Sequence, residues 1–467
     1  MTLYSIGVFL VPLGIGSVIV HLLWQDSDPK AALLKFGLGI GVGLGLTSLL
    51  YFVYLIFFAG RNGFFTIMLC LLAILVFAAS RNFDFRRLSI PRLNLTWVQS
   101  ILLAALIGST VLAAGTVVNM NRARPHGGFD AWLIWNRASR FIYRGGEEWK
   151  TAFSPEFYFF FQADYPLFVP LTNAWVWETM NTETLRVPFI QTSIYLFGSV
   201  FLIFSAMHFS RSLGQATLAA IVLLGTTTYI SVGSAQMADT PLALLILAVT
   251  ILFHSFSKTR DTNLSAVTGF TVGLCGWAKN EGIIFIILGS LSFYFLLIQE
   301  RNKAQEISRY LAGLVLPLII IAYFKLSLAP SNYLTEGGLQ ETLQHLTDLS
   351  RYSIIGRAIL GELRSFAGWF YAIPMFILYY FGMNKQDNYG SRWRVTSIAM
   401  LSLQILSYIA VYVITPRPLE FQLAHSLDRI LLHVYPAFLF VLFSSTVTPE
   451  TLFSPSKIET QGLQSGN

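Results

Sequence analysis

The chain has 467 residues, of which 54% are hydrophobic and only 12% charged, with a mean hydropathy of +0.61. Soluble domains carry about 25% charged residues, and half that share cannot coat a water-exposed surface of this size, which excludes a soluble two- or three-domain protein. The net charge of +7 is read as Lys and Arg in loops on one side of a membrane, together with a site for an anionic substrate, and not as nucleic-acid binding.

Apolar runs of bilayer length recur along the whole chain. They lie at 3–23, 33–59, 64–80, 98–119, 189–209, 215–233, 240–257, 264–278, 282–298, 310–328, 366–383, 395–414 and 428–446. At about 20 residues per crossing, they predict an all-α polytopic membrane protein of about thirteen spans, in a range of about eleven to fourteen. The first run has no basic residues before it and no small-residue cleavage site, so it reads as a membrane helix and not a signal peptide. In the second run Gly37, Gly39, Gly41, Gly43 and Gly45 alternate. No strand precedes them and the spacing is not that of a dinucleotide fingerprint. Gly37 with Gly41, or Gly41 with Gly45, is expected to let helices approach closely. Cys70 and Cys275 sit in apolar segments and are expected to be small buried hydrophobes without a disulfide. No repeat is visible, nor paired broken helices in corresponding halves.

Four short connections are basic: 81–97 with Arg81, Arg86, Arg87 and Arg92; 258–263 with Lys258 and Arg260; 299–309 with Arg301, Lys303 and Arg309; and 384–394 with Lys385, Arg392 and Arg394. Thirteen spans put all four on one side, predicted to be cytoplasmic. The first residue is then external, as are the long segments 120–188 and 329–365. The chain divides into N-terminal membrane helices (1–119), an external loop with interfacial helices (120–188), further membrane helices (189–446) and a polar, disordered cytoplasmic tail (447–467).

The external loop reads His126-Gly-Gly-Phe-Asp130-Ala-Trp132-Leu-Ile-Trp135-Asn136-Arg137-Ala-Ser-Arg140, followed by Ala163-Asp164-Tyr165-Pro166-Leu167. If the first stretch is helical, Arg137 and Arg140 lie two and three turns past Asp130 on a nearby face. Trp132 and Trp135 have two readings, stacking on a sugar or anchoring an interfacial helix at the headgroups. The whole stretch can also be read as an interfacial helix with snorkelling arginines. Three further features fall on the same predicted side. Asp239 begins the seventh span, either as a helix cap or as a substrate ligand. Lys279 and Glu281 interrupt two apolar runs, where charge is costly and is either mutually neutralised or functional. Asp428 and Arg429 open the final span, where an Asp with a flanking Arg is ordinary capping. The seven His are scattered, and no HExxH or CxxC occurs, so no metal motif is evident, although two carboxylates leave a divalent cation with a donor phosphate open.

The linked Asp-Ala-Trp-x-x-Trp-Asn and Asp-Tyr-Pro-Leu sequences resemble the catalytic loop of polytopic glycosyltransferases of the GT-C superfamily, closest to the bacterial glycosyltransferase family 39 and aminoarabinose-transferase-like group. The resemblance implies a GT-C-like fold and transfer of a sugar from a polyprenyl-phosphate donor to a lipid, glycan or protein hydroxyl at the non-cytoplasmic face, in the plasma (inner) membrane if the source is bacterial. It implies that Asp130 activates or positions the acceptor and that Asp164 is a second acidic residue of the site. Lys279-Asn280-Glu281-Gly282 is similar to a sequence found in this group. Arg429 stands where related enzymes have an arginine that meets the lipid phosphate. Substrate contacts are expected from Arg137, Arg140, Trp132, Tyr165, Asp239, Lys279, Glu281 and Arg429, with membrane lipids as neighbours and no nucleic acid. The chain departs from the superfamily in placing three extra spans before the loop and in having no large soluble C-terminal domain. The alternative is a transporter or flippase of lipid-linked glycans, which would show polar or broken helices at mid-membrane. A glycan polymerase or ligase is a near neighbour with a diphosphate donor.

Overall fold

The computed structural model describes residues 2–26, 28–81, 95–154, 156, 162–332, 334, 338–368, 379–380, 382–383 and 391–452. Among them the secondary structure is helical, with no strand. The helices are α1 (Thr2–Leu23), α2 (Pro29–Phe58), α3 (Phe64–Ser80), α4 (Trp97–Ala123), α5 (Asn136–Gly145), α6 (Phe168–Met180), α7 (Arg186–Ser210), α8 (Leu213–Gly225) and α9 (Thr227–Gly233). They continue as α10 (Asp239–Thr259), α11 (Leu264–Ala278), α12 (Asn280–Leu297), α13 (Lys303–Ser327), α14 (Gly338–Thr347), α15 (Leu349–Ser365), α16 (Arg392–Ile414) and α17 (Leu419–Ser444). Local sequence explains several starts. Asp28 caps α2 ahead of Pro29, and Thr96 and Gln99 form a reciprocal capping box on α4. Ser212 caps α8 through the Gln215 amide.

Nine of the described helices, α1, α2, α4, α7, α10, α12, α13, α16 and α17, are long and apolar enough to cross a membrane, which makes the chain a multi-pass integral membrane protein. The other expected spans fare differently. Those at 64–80 and 264–278 are apolar helices of 17 and 15 residues, shorter than a full crossing. The span at 215–233 is broken: α8 and α9 meet at 68°. The break falls at Thr226, whose hydroxyl bonds Val222 O and the Tyr435 hydroxyl, so the interruption is satisfied by side chains. The span at 366–383 lies largely outside the described residues, as do Arg86, Arg87, Arg92, Lys385 and the tail beyond 452.

Burial separates the centre from the rim. The crossing window of α10 is 89% buried, whereas that of α4 is 11% buried. Ile107, Val111 and Leu112 on α4 and Phe77 on α3 point outward, as hydrocarbon-facing side chains do. Cys70 is exposed on α3, contrary to its expected burial; Cys275 is buried, and neither is in a disulfide. The glycine run brings α2 close to several helices: a Cβ on Gly37, Gly41 or Gly45 would lie 3.1, 3.2 and 2.3 Å, respectively, from Ser205 on α7, Leu245 on α10 and Leu274 on α11, while the glycines between them face α1. A Cβ on Gly43 would lie 1.9 Å from Pro12 O, and one on Gly39 2.5 Å from Ser17 N, so these two, four apart, allow the close approach.

The segment 120–188 is less interfacial than its charge suggests. A π-helical turn, Ala131–Trp135, runs into α5, and a 3₁₀ stretch, Gly146–Phe153, follows. All of α6 from Phe168 to Trp177 is buried. It is held by Ser48 Oγ donating to Phe168 O and by Tyr51 bonding Glu178, while Trp149 Nε1 bonds Leu55 O nearby. In contrast, α14 buries no residue and α15 only Ile355.

Contacts sort the connections into two ends of the bundle. Gln25 bonds Asp261, Arg260 pairs with Glu300, Arg392 reaches Gln299, and Glu450 accepts from Gln99 and Ser212. Gln25, Gln99, Ser212 and Glu450 thereby lie at the same end as the basic connections 258–263, 299–309 and 384–394, to which Lys258 and Arg394 also tie α7 and α17. The segments carrying Asp130, Asp164, Lys279 and Arg429 meet at the other end.

Candidate functional site

The Asp130 segment is docked by backbone. Gly127 has φ +83°, and a Cβ there would come within 2.6 Å of Ala235 O. Only glycine fits both restrictions. Gly128 N then donates to Ala235 O at 2.9 Å. A buried chain of amides extends this dock. Gln236 Nε2 donates to Asn121 Oδ1 at 2.7 Å, and Asn136 Nδ2 to Gln236 Oε1 at 2.7 Å. Asn173 Nδ2 donates to Asn136 Oδ1 and Ser139 Oγ, each at 3.3 Å. Gln236 adopts φ +61°, uncommon for a side-chain-bearing residue. The loop carrying Asp130 is thereby fixed to Ala235 and Gln236, four and three residues before Asp239.

Asp239 is the centre of the cluster and is completely buried. Its Oδ1 accepts from Lys279 Nζ at 2.8 Å and faces His433 Nε2 at 2.9 Å. Its Oδ2 lies 3.4 Å from Arg429 Nε. Arg429 and His433 are four apart on α17 and so share a face. Arg429 Nη1 reaches Asp130 Oδ2 at 2.5 Å. Lys279 also pairs with Glu281 at 2.8 Å, and Tyr408 meets His433 Nδ1 at 2.9 Å. Three buried atoms, Asp239 Oδ2, Glu281 Oε2 and Arg429 Nε, make no hydrogen bond within the described structure, which leaves polar valence facing the cluster. Capping does not explain these charges. Asp239 makes no cap bond at the start of α10, and α17 begins at Leu419, so Asp428 and Arg429 lie inside that helix and not at its start.

A second group abuts the first. Asp164 Oδ2 accepts from Asn280 Nδ2 at 2.8 Å and Asn332 Nδ2 at 2.6 Å, and lies 3.8 Å from Lys325 Nζ. Lys325 also bonds Asp164 O, and Asn280 Oδ1 at 2.6 Å. Asn280 stands between Lys279 and Glu281, so the charged break between α11 and α12 serves both groups. Gly282 permits the turn: a Cβ there would meet Cys275 O at 1.8 Å. Tyr165 joins by its ring, 5.0 Å from that of Trp135.

The structure therefore brings Asp130, Asp164, Asp239, Lys279, Glu281 and Arg429 into contiguous ion pairs and hydrogen bonds, and adds Lys325, Asn280, Asn332, His433 and Tyr408. Lys325 and His433 had a legible signal, since each is an ionisable residue within an otherwise apolar run. Arg140 goes elsewhere. It pairs with Glu183 at 2.8 Å, and Arg144 joins the same carboxylate at 2.7 Å. Burial pushes the Glu183 carboxyl up, but the Arg144 and Arg140 guanidiniums outweigh it and hold the group below its usual range. Arg137 lies over Phe141, 5.4 Å from the ring centre. The π turn shifts the helical register after Asp130 by about one residue, and Glu183 draws Arg140 to itself. Trp135 is core, while Trp132 is 55% exposed beside Phe129.

No group of three or more His, Cys, Asp or Glu among the described residues is disposed to hold a metal ion. Asp130 Oδ2 faces the Arg429 guanidinium, and the buried Asp164 Oδ2 faces two amide N–H groups and Lys325, so a cation could bind those two oxygens only if these donors left. Compared with protein-family models, curated proteins and solved structures, the chain matches none.

Proposed function

We propose that the protein is a membrane glycosyltransferase that moves a sugar from a polyprenyl-phosphate donor to a hydroxyl of a lipid, glycan or protein at the non-cytoplasmic face. The observation that carries this is the ion-pair chain from Asp130 through Arg429 to Asp239, Lys279 and Glu281, with Asp164 and Lys325 alongside. It joins the two linked loop motifs to residues from four later helices, α10, α12, α13 and α17, at the end of the bundle opposite the short basic connections.

The chemistry follows from exposure. Asp130 is 27% exposed in its side chain, against none for Asp239. Among the carboxylates of the cluster Asp130 is the most open to an acceptor, ahead of Glu281 at 21% and Asp164 at 5%. The acceptor oxygen attacks the anomeric carbon, its proton passes to Asp130, and the bond from that carbon to the phosphate oxygen breaks. The phosphate departs with an added negative charge, so cations stabilise it and no strong general acid is needed. Lys325, at 24% exposure, and Arg429, at 15%, are the cations open to it. Lys279, at 3%, is held between two carboxylates and positions them. Each ionised group has a partner before substrate binds, so the site requires no rearrangement of charge to act.

A transporter of lipid-linked glycans is the second reading, favoured by the 68° break between α8 and α9. Incubating purified protein with radiolabelled polyprenyl-phosphate hexoses and pentoses separates the two. Release or transfer of label is expected. Movement of intact donor across proteoliposomes, with no bond cleavage at any acceptor tried, would establish transport instead.

A further inference from the structure

A groove of about 560 Å³ lies where the end of α4 meets the start of α7. It is separate from the carboxylate cluster and takes no part in the proposed chemistry. Arg122 is in the last turn of α4 and Arg186 is the first residue of α7. Both helices are candidate spans, so the two guanidiniums stand at one water–hydrocarbon boundary. Val118 lies one turn deeper on α4, and Phe189 and Ile190 one turn deeper on α7, and all three line the groove. None of the lining residues is acidic. The groove is therefore cationic at its water end and apolar along its membrane depth. That order matches an amphiphile with a phosphate head and acyl chains, and does not match a free ion or a soluble peptide.

We infer that this groove binds a phosphate-bearing membrane lipid, with the phosphate between Arg122 and Arg186 and a chain against Val118, Phe189 and Ile190. Asn121, which also lines the groove, starts the amide chain that fixes the Asp130 loop. An occupied groove thereby steadies the end of α4 from which that loop departs. The inference does not depend on whether the chain transfers sugars.

The test is saturable binding of radiolabelled phosphatidic acid to the full-length protein in detergent. Wild type is expected to bind it and to release it to unlabelled phosphatidic acid, but not to phosphatidylcholine or to millimolar inorganic phosphate. The Arg122→Gln/Arg186→Gln double variant is expected to bind roughly ten- to thirtyfold more weakly, at about fivefold per arginine near an anionic headgroup. Arg357→Gln, an exposed arginine on α15, is expected to bind as wild type. Should the double variant fail to fold, Val118→Trp, which fills the groove, is expected to give the same loss. Undiminished binding by the folded variants, displacement by inorganic phosphate, or no saturable binding would overturn the inference.

Discussion

Asp239 shows how few partners hold the site together. A carboxylate with no exposure, inside a membrane bundle, is tolerated only because Lys279, Arg429 and His433 surround it. Removing one partner leaves an uncompensated buried charge, which costs about 3–5 kcal/mol. Arg429→Met is therefore expected to lower thermal stability sharply, measured as the midpoint of unfolding in detergent, while Lys325→Gln is expected to fold normally. Lys325 is partly exposed and Asp164 keeps two amide donors, so Lys325→Gln should raise KM for the donor about tenfold, a loss of about 1.4 kcal/mol. Equal stability of the two variants would contradict the central place given to Asp239. At this scale much of the site was legible. Asp239, Lys279, Glu281 and Arg429 are charges at the edges of apolar runs, and burying charge is expensive enough that such residues announce themselves, whereas Asp130 and Asp164 lie within the long segment 120–188 and stand out only by the motifs around them. The placement of Arg140 was not legible, because a carboxylate some forty residues on decides its direction and periodicity does not reveal it.

Among the elements, the helix breaks and close approaches do the positioning. Gly282→Ala would place a Cβ 1.8 Å from Cys275 O and push the start of α12 off α11. Overpacking of this kind costs about 1–3 kcal/mol. Because Lys279, Asn280 and Glu281 ride on that turn, donor turnover is expected to fall with it, whereas Gly43→Ala on α2 should cost similar stability and spare turnover. Loop docking has its own pH dependence. Glu183, held below its usual range, contributes stability that is fully present above the unfolded-chain value of about 4.3 and is lost as pH falls through the lower folded value. Melting curves between pH 7 and 3 should show this acid limb in wild type and a smaller one in Glu183→Gln; identical limbs would remove Glu183 from the docking of α5. The long spans could be read from hydropathy alone. The bend at Thr226 and the burial of α6 could not, because α6 gains its surroundings from Ser48, Tyr51 and Trp149, distant in the chain.

For the whole molecule, the separation of two ends is the principal result. The short basic connections share one end, and the charged cluster occupies the other. The side that each end faces follows from the positive-inside tendency and is open to direct test. In a background without Cys70 and Cys275, Leu339→Cys on α14 and Leu452→Cys at the other end place exposed positions at opposite poles. An impermeant maleimide applied to intact cells is expected to label the first and to reach the second only after permeabilisation. Reversed labelling would put the cluster in the cytoplasm. Thirteen crossings could not be counted reliably from the sequence, because α3 and α11 are short for a bilayer and α8 with α9 is bent; packing against longer neighbours sets such spans, and hydropathy does not report it.

The most direct test compares wild type with Asp130→Asn for release of sugar from a radiolabelled polyprenyl-phosphate donor. Asp130 is partly exposed and Arg429 retains Asp239, so the variant is expected to fold and to keep donor binding. Its turnover is expected to fall by about 10²–10⁴-fold, the worth of a positioned general base. Undiminished turnover by the folded variant would contradict the account, because the proposed reaction depends on Asp130 for acceptor activation.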